Sequence, residues 1–347
     1  MMEFQGHPVK SITNNSIVIE WAIGNWCNFR CPYCFPDANT GTHLPPVVDD
    51  VLVENLKHLV KEIRSHSNDH IRWTLSGGEP TAQKKFSVLL ETIQSIDKNS
   101  HVMLITNGTR PIAWWKKNVQ YVKHMILSIH PESDIEHNVE LIKLLADYDI
   151  KVSLSIMVGA QNFDQAVNSF KSFQFTSDPK YSLIHLKINR YRKMVTNLDF
   201  ATLSNEQHMI LDKLNKDHNN NKTTRFKTKA DIPASLREPN FGAPARFTYT
   251  IDAGYEYDEV LNWYQGDKEK FKGNWVGYKC FAPSRSFHID KSGKIGKLPC
   301  SIEFMNPLNI YNKDFKERYK YPTEPYICDK TYKDCNCAGV LEANKVL

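Results

Sequence analysis

Between residue 16 and about residue 190, short apolar runs alternate with stretches whose apolar residues recur every three or four positions. Ile17–Ala22 (IVIEWA), Ile71–Leu75, His101–Thr106 (HVMLIT), Met125–Ile129, Lys151–Val158 and Tyr181–Ile188 read as strands. Between them, Asp49–His66 sets Val53, Leu56, Leu59, Val60 and Ile63 at helical spacing. Lys85–Ile96, Ile112–Val122, Ile135–Asp149 and Phe163–Phe173 continue the series as helices. Strands separated by helices predict an α/β fold with a parallel sheet, because parallel neighbours need a long crossover. No Gly-rich dinucleotide fingerprint opens any of these helices. The expected architecture is therefore a partial (β/α)6 TIM-like barrel rather than a doubly wound sheet. In both, ligands collect at the C-terminal ends of the strands.

Past about residue 195 the rhythm is lost. Ser204 reads as the N-cap of a helix reaching Leu214. Residues 215–230 (NKDHNNNKTTRFKTKA) are polar and aperiodic and read as a solvated connector. Residues 286–298 form a hairpin pattern, with strands Ser286–Ile289 and Lys294–Leu298 around an Asp290–Gly293 turn. The chain thus divides into a barrel over 1–195, a bridge over 196–275, and a small C-terminal extension over 276–347 that contains the hairpin.

Composition is that of an ordinary globular protein, with 41% apolar and 24% charged residues in 347. No apolar run approaches the length of a membrane span. The N-terminus lacks the basic and apolar regions of a signal peptide, so a cytoplasmic location is expected. The net charge of +5 is spread along the chain. It suits an anionic substrate but offers no clustered basic face of the kind nucleic acid requires.

Cysteine usage changes the picture. The eight cysteines fall into two groups, Cys27, Cys31, Cys34 and Cys280, Cys300, Cys328, Cys335, Cys337. Without a secretion signal, grouped cysteines point to metal ligation rather than disulfides. The first group, in Asn25-Trp26-Cys27-Asn28-Phe29-Arg30-Cys31-Pro32-Tyr33-Cys34, directly follows the first predicted strand. A structural zinc site asks for a fourth ligand, and no nearby Cys or His supplies one. Three thiolates on an iron–sulfur cubane instead leave one iron open. Ser76-Gly77-Gly78-Glu79-Pro80 follows the second strand, Thr106-Asn107-Gly108 ends the third, and Ser128-Ile129-His130 ends the fourth. SGGEP and TNG are each by themselves also good turns, and satisfying loop backbone groups is the alternative reading of Ser128 and His130.

In this order, the C-x3-C-x2-C, GGE and TNG segments resemble the signatures of the radical S-adenosylmethionine (SAM) superfamily over roughly residues 16–190. The resemblance implies a [4Fe–4S] cluster on Cys27, Cys31 and Cys34. It implies SAM held by Gly77, Gly78, Glu79 and Pro80, with the carboxylate and backbone toward its amine. Tyr33 would lie against the adenine, and Thr106, Asn107, Ser128 and His130 nearby. The implied chemistry is reductive cleavage of SAM to a 5′-deoxyadenosyl radical, which abstracts hydrogen from the substrate. A reductant protein such as flavodoxin or ferredoxin is the implied electron source.

The hairpin flanked by Cys280 and Cys300, with Cys328, Cys335 and Cys337 beyond, resembles the SPASM and twitch extensions of that superfamily. Seven cysteines accompany a full SPASM region; five suit one auxiliary [4Fe–4S] cluster with a spare thiol. Four-thiolate zinc stays open as an alternative, as does the choice of ligands. The resemblance favours a peptide or protein side chain as substrate. A small polar metabolite of sugar or nucleoside type is the alternative, and a non-catalytic electron carrier or sensor is the reading from another class. With about fifteen residues before the first strand, recognition of a peptide leader would fall to a separate partner. Lys187, Asn189 and Arg190, like His130, stand at strand ends as candidate contacts for substrate or the SAM carboxylate.

Overall fold

The computed structural model describes residues 16–34, 39–42, 48–190, 203–220, 250–251, 255–256, 278–280, 286–297, 308–323, 326–327 and 341–345. Six strands alternate with helices over its first half. They are β1 (Ser16–Ala22), β2 (His70–Ser76), β3 (His101–Thr106), β4 (His124–Ile129), β5 (Lys151–Val158) and β6 (Ile184–Arg190). All five neighbouring pairs run parallel, in sequence order. The intervening helices are α1 (Asp50–Arg64), α2 (Phe86–Ile96), α3 (Ile112–Asn118), α4 (Ile135–Asp147) and α5 (Phe163–Ser172), and α6 (Asn205–Asn220) follows β6. The sheet does not close on itself. The partial barrel expected from the alternation is the fold observed.

Local chemistry sets the element ends. Asp49 caps α1 by accepting from the Leu52 N–H at 2.9 Å, and Asp134 caps α4 through His137. Ser204 and Gln207 form a reciprocal capping box at the start of α6. The helix predicted over 112–122 stops at Asn118 and tightens into a 3-10 turn, Val119–Tyr121. There the Asn118 amide turns back to the Trp114 carbonyl and β-branched Val119 and Val122 follow, which weakens the α conformation. The strand predicted from Tyr181 begins at Ile184, because Pro179 fixes a turn through Tyr181. Residues 215–220, read as connector, continue α6. Asn215 is used there, accepting from Ile188 N–H at 2.9 Å and donating to Ile188 C=O at 3.2 Å. These bonds satisfy the backbone of edge strand β6.

One face of the sheet is apolar and packs on the helices. Ile17, Ile19, Trp21, Ile71, Trp73, Leu75, Leu104, Leu127, Leu154 and Leu186 share a core with Leu56, Leu90, Leu141 and Phe170. Burial of each large apolar side chain contributes about 1.5–3 kcal/mol. Alternate residues point to the other, inner face, where polar Glu20, Thr74, Ser128 and Ser155 alternate with apolar Val18, Met103, Ile105 and Ile126.

The later residues add strands. β7 (Thr250–Ile251) pairs antiparallel with β8 (Tyr255–Glu256), and β9 (Tyr278–Cys280) lies between β13 (Tyr326–Ile327) and β14 (Leu341–Lys345). The predicted hairpin is β10 (Ser286–Ile289) and β11 (Lys294–Lys297), followed by β12 (Leu308–Asn309) and the short helix α7 (Phe315–Arg318). The hairpin joins the main sheet, with β10 parallel to β1 and His288 opposite Glu20. The full order is β12-β11-β10-β1-β2-β3-β4-β5-β6. Buried Asn55 of α1 ties this region down by donating to the carbonyls of Ile310 and Asn312. The expected boundary near 195, most of the 196–275 bridge, and Cys300, Cys328, Cys335 and Cys337 lie outside the described residues. Among the described residues no helix is long and apolar enough to cross a membrane.

Candidate functional site

β1 delivers the chain into the loop Ile23–Cys34 at the C-terminal edge of the sheet, and this loop carries all three N-terminal cysteines. Backbone bonds fasten it to the turn after β2. Ile23 N–H donates to Ser76 C=O at 2.6 Å, Gly78 N–H to Gly24 C=O at 3.3 Å, and Glu79 N–H to Trp26 C=O at 2.8 Å. Gly77 has φ +137°, and a Cβ there would stand 2.7 Å from the Gly24 carbonyl oxygen; at Gly78 it would overlap the Trp26 carbonyl. The pair of glycines thus lets two backbones meet, the first being the cysteine loop's own.

Glu79 extends the link to β3. Its carboxylate is buried, with 1% exposure, and accepts four hydrogen bonds. Oε1 takes Thr81 N–H at 2.9 Å, the Thr81 hydroxyl at 2.6 Å and the Thr106 hydroxyl at 2.7 Å; Oε2 takes Asn107 N–H at 2.6 Å. Burial pushes its pKa up, and those four bonds act against the rise. Asn107 then reaches the cysteine loop, donating from Nδ2 to Asn28 Oδ1 at 3.0 Å, while Asn28 donates to the Thr109 hydroxyl at 2.9 Å. The first three predicted segments are one hydrogen-bonded unit. Pro80 opens the short turn behind Glu79.

Within the loop, Cys31 is buried and Cys27 and Cys34 are half-buried; all three are free thiols. Phe29 N–H donates to Cys27 Sγ at 3.3 Å, and Asn39 donates to the Cys31 carbonyl at 3.3 Å. Arg30 grips the Cys27 and Phe29 carbonyls. Tyr33 OH meets His130 Nδ1 at 2.8 Å with the rings stacked 5.9 Å apart, and Phe29 meets His130 edge-on. Cys31 Sγ lies 3.7 Å from His130 Nδ1 and 3.9 Å from Glu132 Oε2. Burial pushes the Cys31 thiol up to about 12, with Glu132, Cys34 and Cys27 adding to the rise against the Tyr33 hydrogen bond. Burial also pulls His130 down to about 4, which keeps the imidazole neutral at pH 7.

Among the described residues no three His, Cys, Asp or Glu side chains meet at a point that would hold a single metal ion. A cubane spreads its thiolates over separate irons, so it asks for a loop that presents three sulfurs rather than one point of convergence. The donor set fits that demand. Burial first, and then repulsion from neighbouring thiols, raises the pKa of Cys27 and Cys31, and a cationic metal group would offset both.

The other predicted residues are distributed as follows. Ser128 pairs in register with Ser155, and Ser155 with Lys187, so the three form a row on the inner face. Asn189 donates to Ser155 Oγ at 2.8 Å. Arg190 ends β6, its side chain outside the described residues, and Cys280 ends β9. Asn28, Thr81, Thr109 and Glu132 belong to the site but were not singled out from the sequence. Asn28 lies inside the C-x3-C spacing and Thr109 directly follows the TNG segment, so proximity to the motifs is the one signal that marks them.

Residues 21–172 match the model of the Radical SAM superfamily. A GTP 3′,8-cyclase of Haemophilus influenzae is 25% identical over 257 residues, 67% of this chain and 72% of that protein. Another, of Actinobacillus succinogenes, is 33% identical over 115 residues, which span 32% of this chain and only 33% of that protein. Among solved structures, Streptococcus suis SuiB bound to the precursor peptide SuiA superimposes with TM-score 0.50 at 14% identity. It covers 92% of this chain and 67% of that one, a likeness of fold. The matched stretch, residues 21–172, spans the cysteine loop and the turns locked to it and is a radical SAM domain, of the kind that works with a [4Fe–4S] cluster and SAM.

Proposed function

We propose that Cys27, Cys31 and Cys34 hold a [4Fe–4S] cluster with one open iron, and that the enzyme abstracts hydrogen from a small polar metabolite of sugar or nucleoside type. The observation that carries the reading is the backbone locking of the cysteine loop to the Ser76–Glu79 turn. When bound, the reduced cluster and SAM supply a one-electron cleavage of the sulfonium and with it a 5′-deoxyadenosyl radical. The protein's part is placement. Glu79, committed to four internal bonds, holds the turn, and the backbone of that turn is offered to the methionyl amine. Tyr33, braced by His130, offers a ring for the adenine. Phe29 and Met157 pack with Tyr33 and help exclude water.

A small metabolite is preferred to a peptide because the inner-face row Ser128, Ser155 and Lys187, with Asn189 bonded to Ser155, is polar. That hydrogen-bonding surface suits a polar molecule more than an apolar side chain. The names of the 25% identical relatives, which specify a nucleotide, lean the same way. Cys280, Cys300, Cys328, Cys335 and Cys337 are proposed as the ligand pool of an auxiliary site, iron–sulfur or zinc. An external one-electron donor completes the cycle.

Anaerobic reconstitution with iron and sulfide, then dithionite and SAM, tests the first part. 5′-Deoxyadenosine should form in the wild type and not in the Cys27→Ala/Cys31→Ala/Cys34→Ala protein; its absence in a reconstituted wild type rejects the proposal. Stimulation by a peptide fraction of cell extract, with none by the dialysable metabolite fraction, rejects the substrate class.

A further inference from the structure

Three stretches of the chain, 21–36, 80–90 and 98–131, contain no Asp or Glu. The fold gathers them around the cysteine loop. Asn28 of the loop donates to the Thr109 hydroxyl at 2.9 Å, Arg110 donates to the carbonyls of Thr81 and Gln83, and Trp114 of α3 stacks on Phe86 of α2 with ring centroids 6.4 Å apart. The cations they bring are Arg30 in the loop, Lys84 and Lys85 at the head of α2, Arg110, and Lys116 and Lys117 in the last turn of α3. All but Arg110 are exposed, and Arg110 stands 5.7 Å over the Trp114 ring. Acidic side chains resume only at Glu91 along α2 and at Glu132 ahead of α4. Glu79, between the first two stretches, is buried and spent on its internal bonds.

Elsewhere the surface mixes its signs, as in Lys57 with Glu54 on α1 and Arg318 with Asp314 at α7. Among the described residues Lys84, Lys85, Lys116 and Lys117 form no ion pair. A face of one sign projects a field that steers a partner of the other sign toward it. The face also carries apolar surface: Val88, one turn along α2 from Lys84 and Lys85, is 44% exposed, and Trp114 is only half-buried. Apolar contact within a charged rim is the composition of a protein interface. The cysteine loop itself reaches the surface here, with Asn28, Arg30 and Pro32 exposed and Cys27 half-buried.

We infer that the α2–α3 face beside the cysteine loop is the docking surface for a small acidic protein that donates one electron at a time. The inference rests on the reading that the three cysteines hold a cluster reduced from outside. In the docked pair the donor is oxidised by one electron and the cluster reduced by one, and no bond forms or breaks. Electron transfer slows steeply with distance, so a donor gains from being held against the loop that carries the cluster. That proximity favours a donor protein over RNA, which would answer to the same charge.

The test uses the reconstituted full-length enzyme and an acidic flavodoxin, with binding and electron transfer read separately. Binding of the oxidised flavodoxin is followed by calorimetry at low ionic strength. Lys84→Glu/Lys85→Glu and Lys116→Glu/Lys117→Glu should each raise the Kd about tenfold, the lower end of what charge steering contributes. An acidic residue at the head of α2 also suits the helix dipole, so the first variant keeps its fold. Lys213→Glu/Lys216→Glu, at exposed positions of α6, makes the same charge change and should leave the Kd unaltered. Salt at about 0.5 M should weaken the wild type to the level of the α2 and α3 variants. In the second arm, 5′-deoxyadenosine formation driven by subsaturating reduced flavodoxin should fall in those two variants. Formation driven by dithionite, which needs no docking face, should be unchanged. No binding by the wild type, equal loss in the α6 control, capture of bulk RNA or self-association in place of flavodoxin binding, or loss of dithionite-driven activity along with the flavodoxin-driven one overturns the inference. Flavodoxin binding that shows the expected pattern, with no 5′-deoxyadenosine from either reductant, rejects the radical reading alone.

Discussion

The carboxylate of Glu79 accepts the backbone N–H of Asn107 at 2.6 Å, a bond that joins the turn after β2 to the turn after β3. Three further donors converge on the same carboxylate, so it acts as the pin of the site. Glu79→Gln keeps the shape but replaces an acceptor oxygen by an NH2 that must face existing donors. A penalty of about 1–3 kcal/mol is expected, as for other buried groups left unsatisfied. Thermal unfolding of the apoprotein should show it. SAM affinity of the reconstituted variant should fall too, since the turn is no longer held against the loop.

Gly78 meets the Trp26 carbonyl more closely than any Cβ allows. Gly78→Ala should therefore displace the cysteine loop, and iron incorporated per chain should drop to a small fraction of wild type. Gly296, around whose α-carbon a Cβ would meet nothing within 4 Å, is the control. Gly296→Ala should incorporate iron normally.

Asn28 bridges the loop to Asn107 and Thr109 without being a thiol. Asn28→Ala should cost about 1 kcal/mol of stability per lost bond at most. Its larger effect should be on cluster retention: visible absorbance from the cluster should bleach faster on exposure to a chelator than in the wild type, with 5′-deoxyadenosine formation falling in parallel.

His124 is held neutral by burial first, then by Lys151 and Arg72, with its pKa pulled down to about 3. An unfolded histidine titrates near 6.5, so between these values the unfolded chain binds a proton that the folded chain refuses. Stability contributed this way is complete above about pH 6.5 and is lost as pH falls toward 3. The slope from this one group approaches about 1.4 kcal/mol per pH unit. Urea unfolding of the apoprotein at pH 7, 6 and 5 should fall less steeply in His124→Gln than in the wild type. An unchanged slope would assign the acid sensitivity to other groups.

Much of the barrel was legible because it is written in local patterns. Period-two and period-3.6 apolar residues placed all six strands and their helices, and Asp49 and Ser204 marked helix starts through capping. The misplacements were local too. Pro179 delays β6 to Ile184, and the polar 215–220 stretch is helical because Asn215 is consumed in satisfying the edge of β6. The candidate site was legible in its thiols and turns, because glycine pairs and clustered cysteines have few other uses.

The sequence by itself determined the ingredients: a parallel α/β alternation, three grouped cysteines after β1, and turn motifs after the next strands. Only the tertiary structure decided what those motifs do to one another. Gly77 and Gly78 admit the cysteine loop's backbone, Glu79 ties two turns from beneath, and the hairpin joins β1 so that His288 stands beside Glu20. Such pairings join residues tens to hundreds of positions apart. Side-chain periodicity carries no record of them, because register between distant strands is fixed by the packing of the whole sheet.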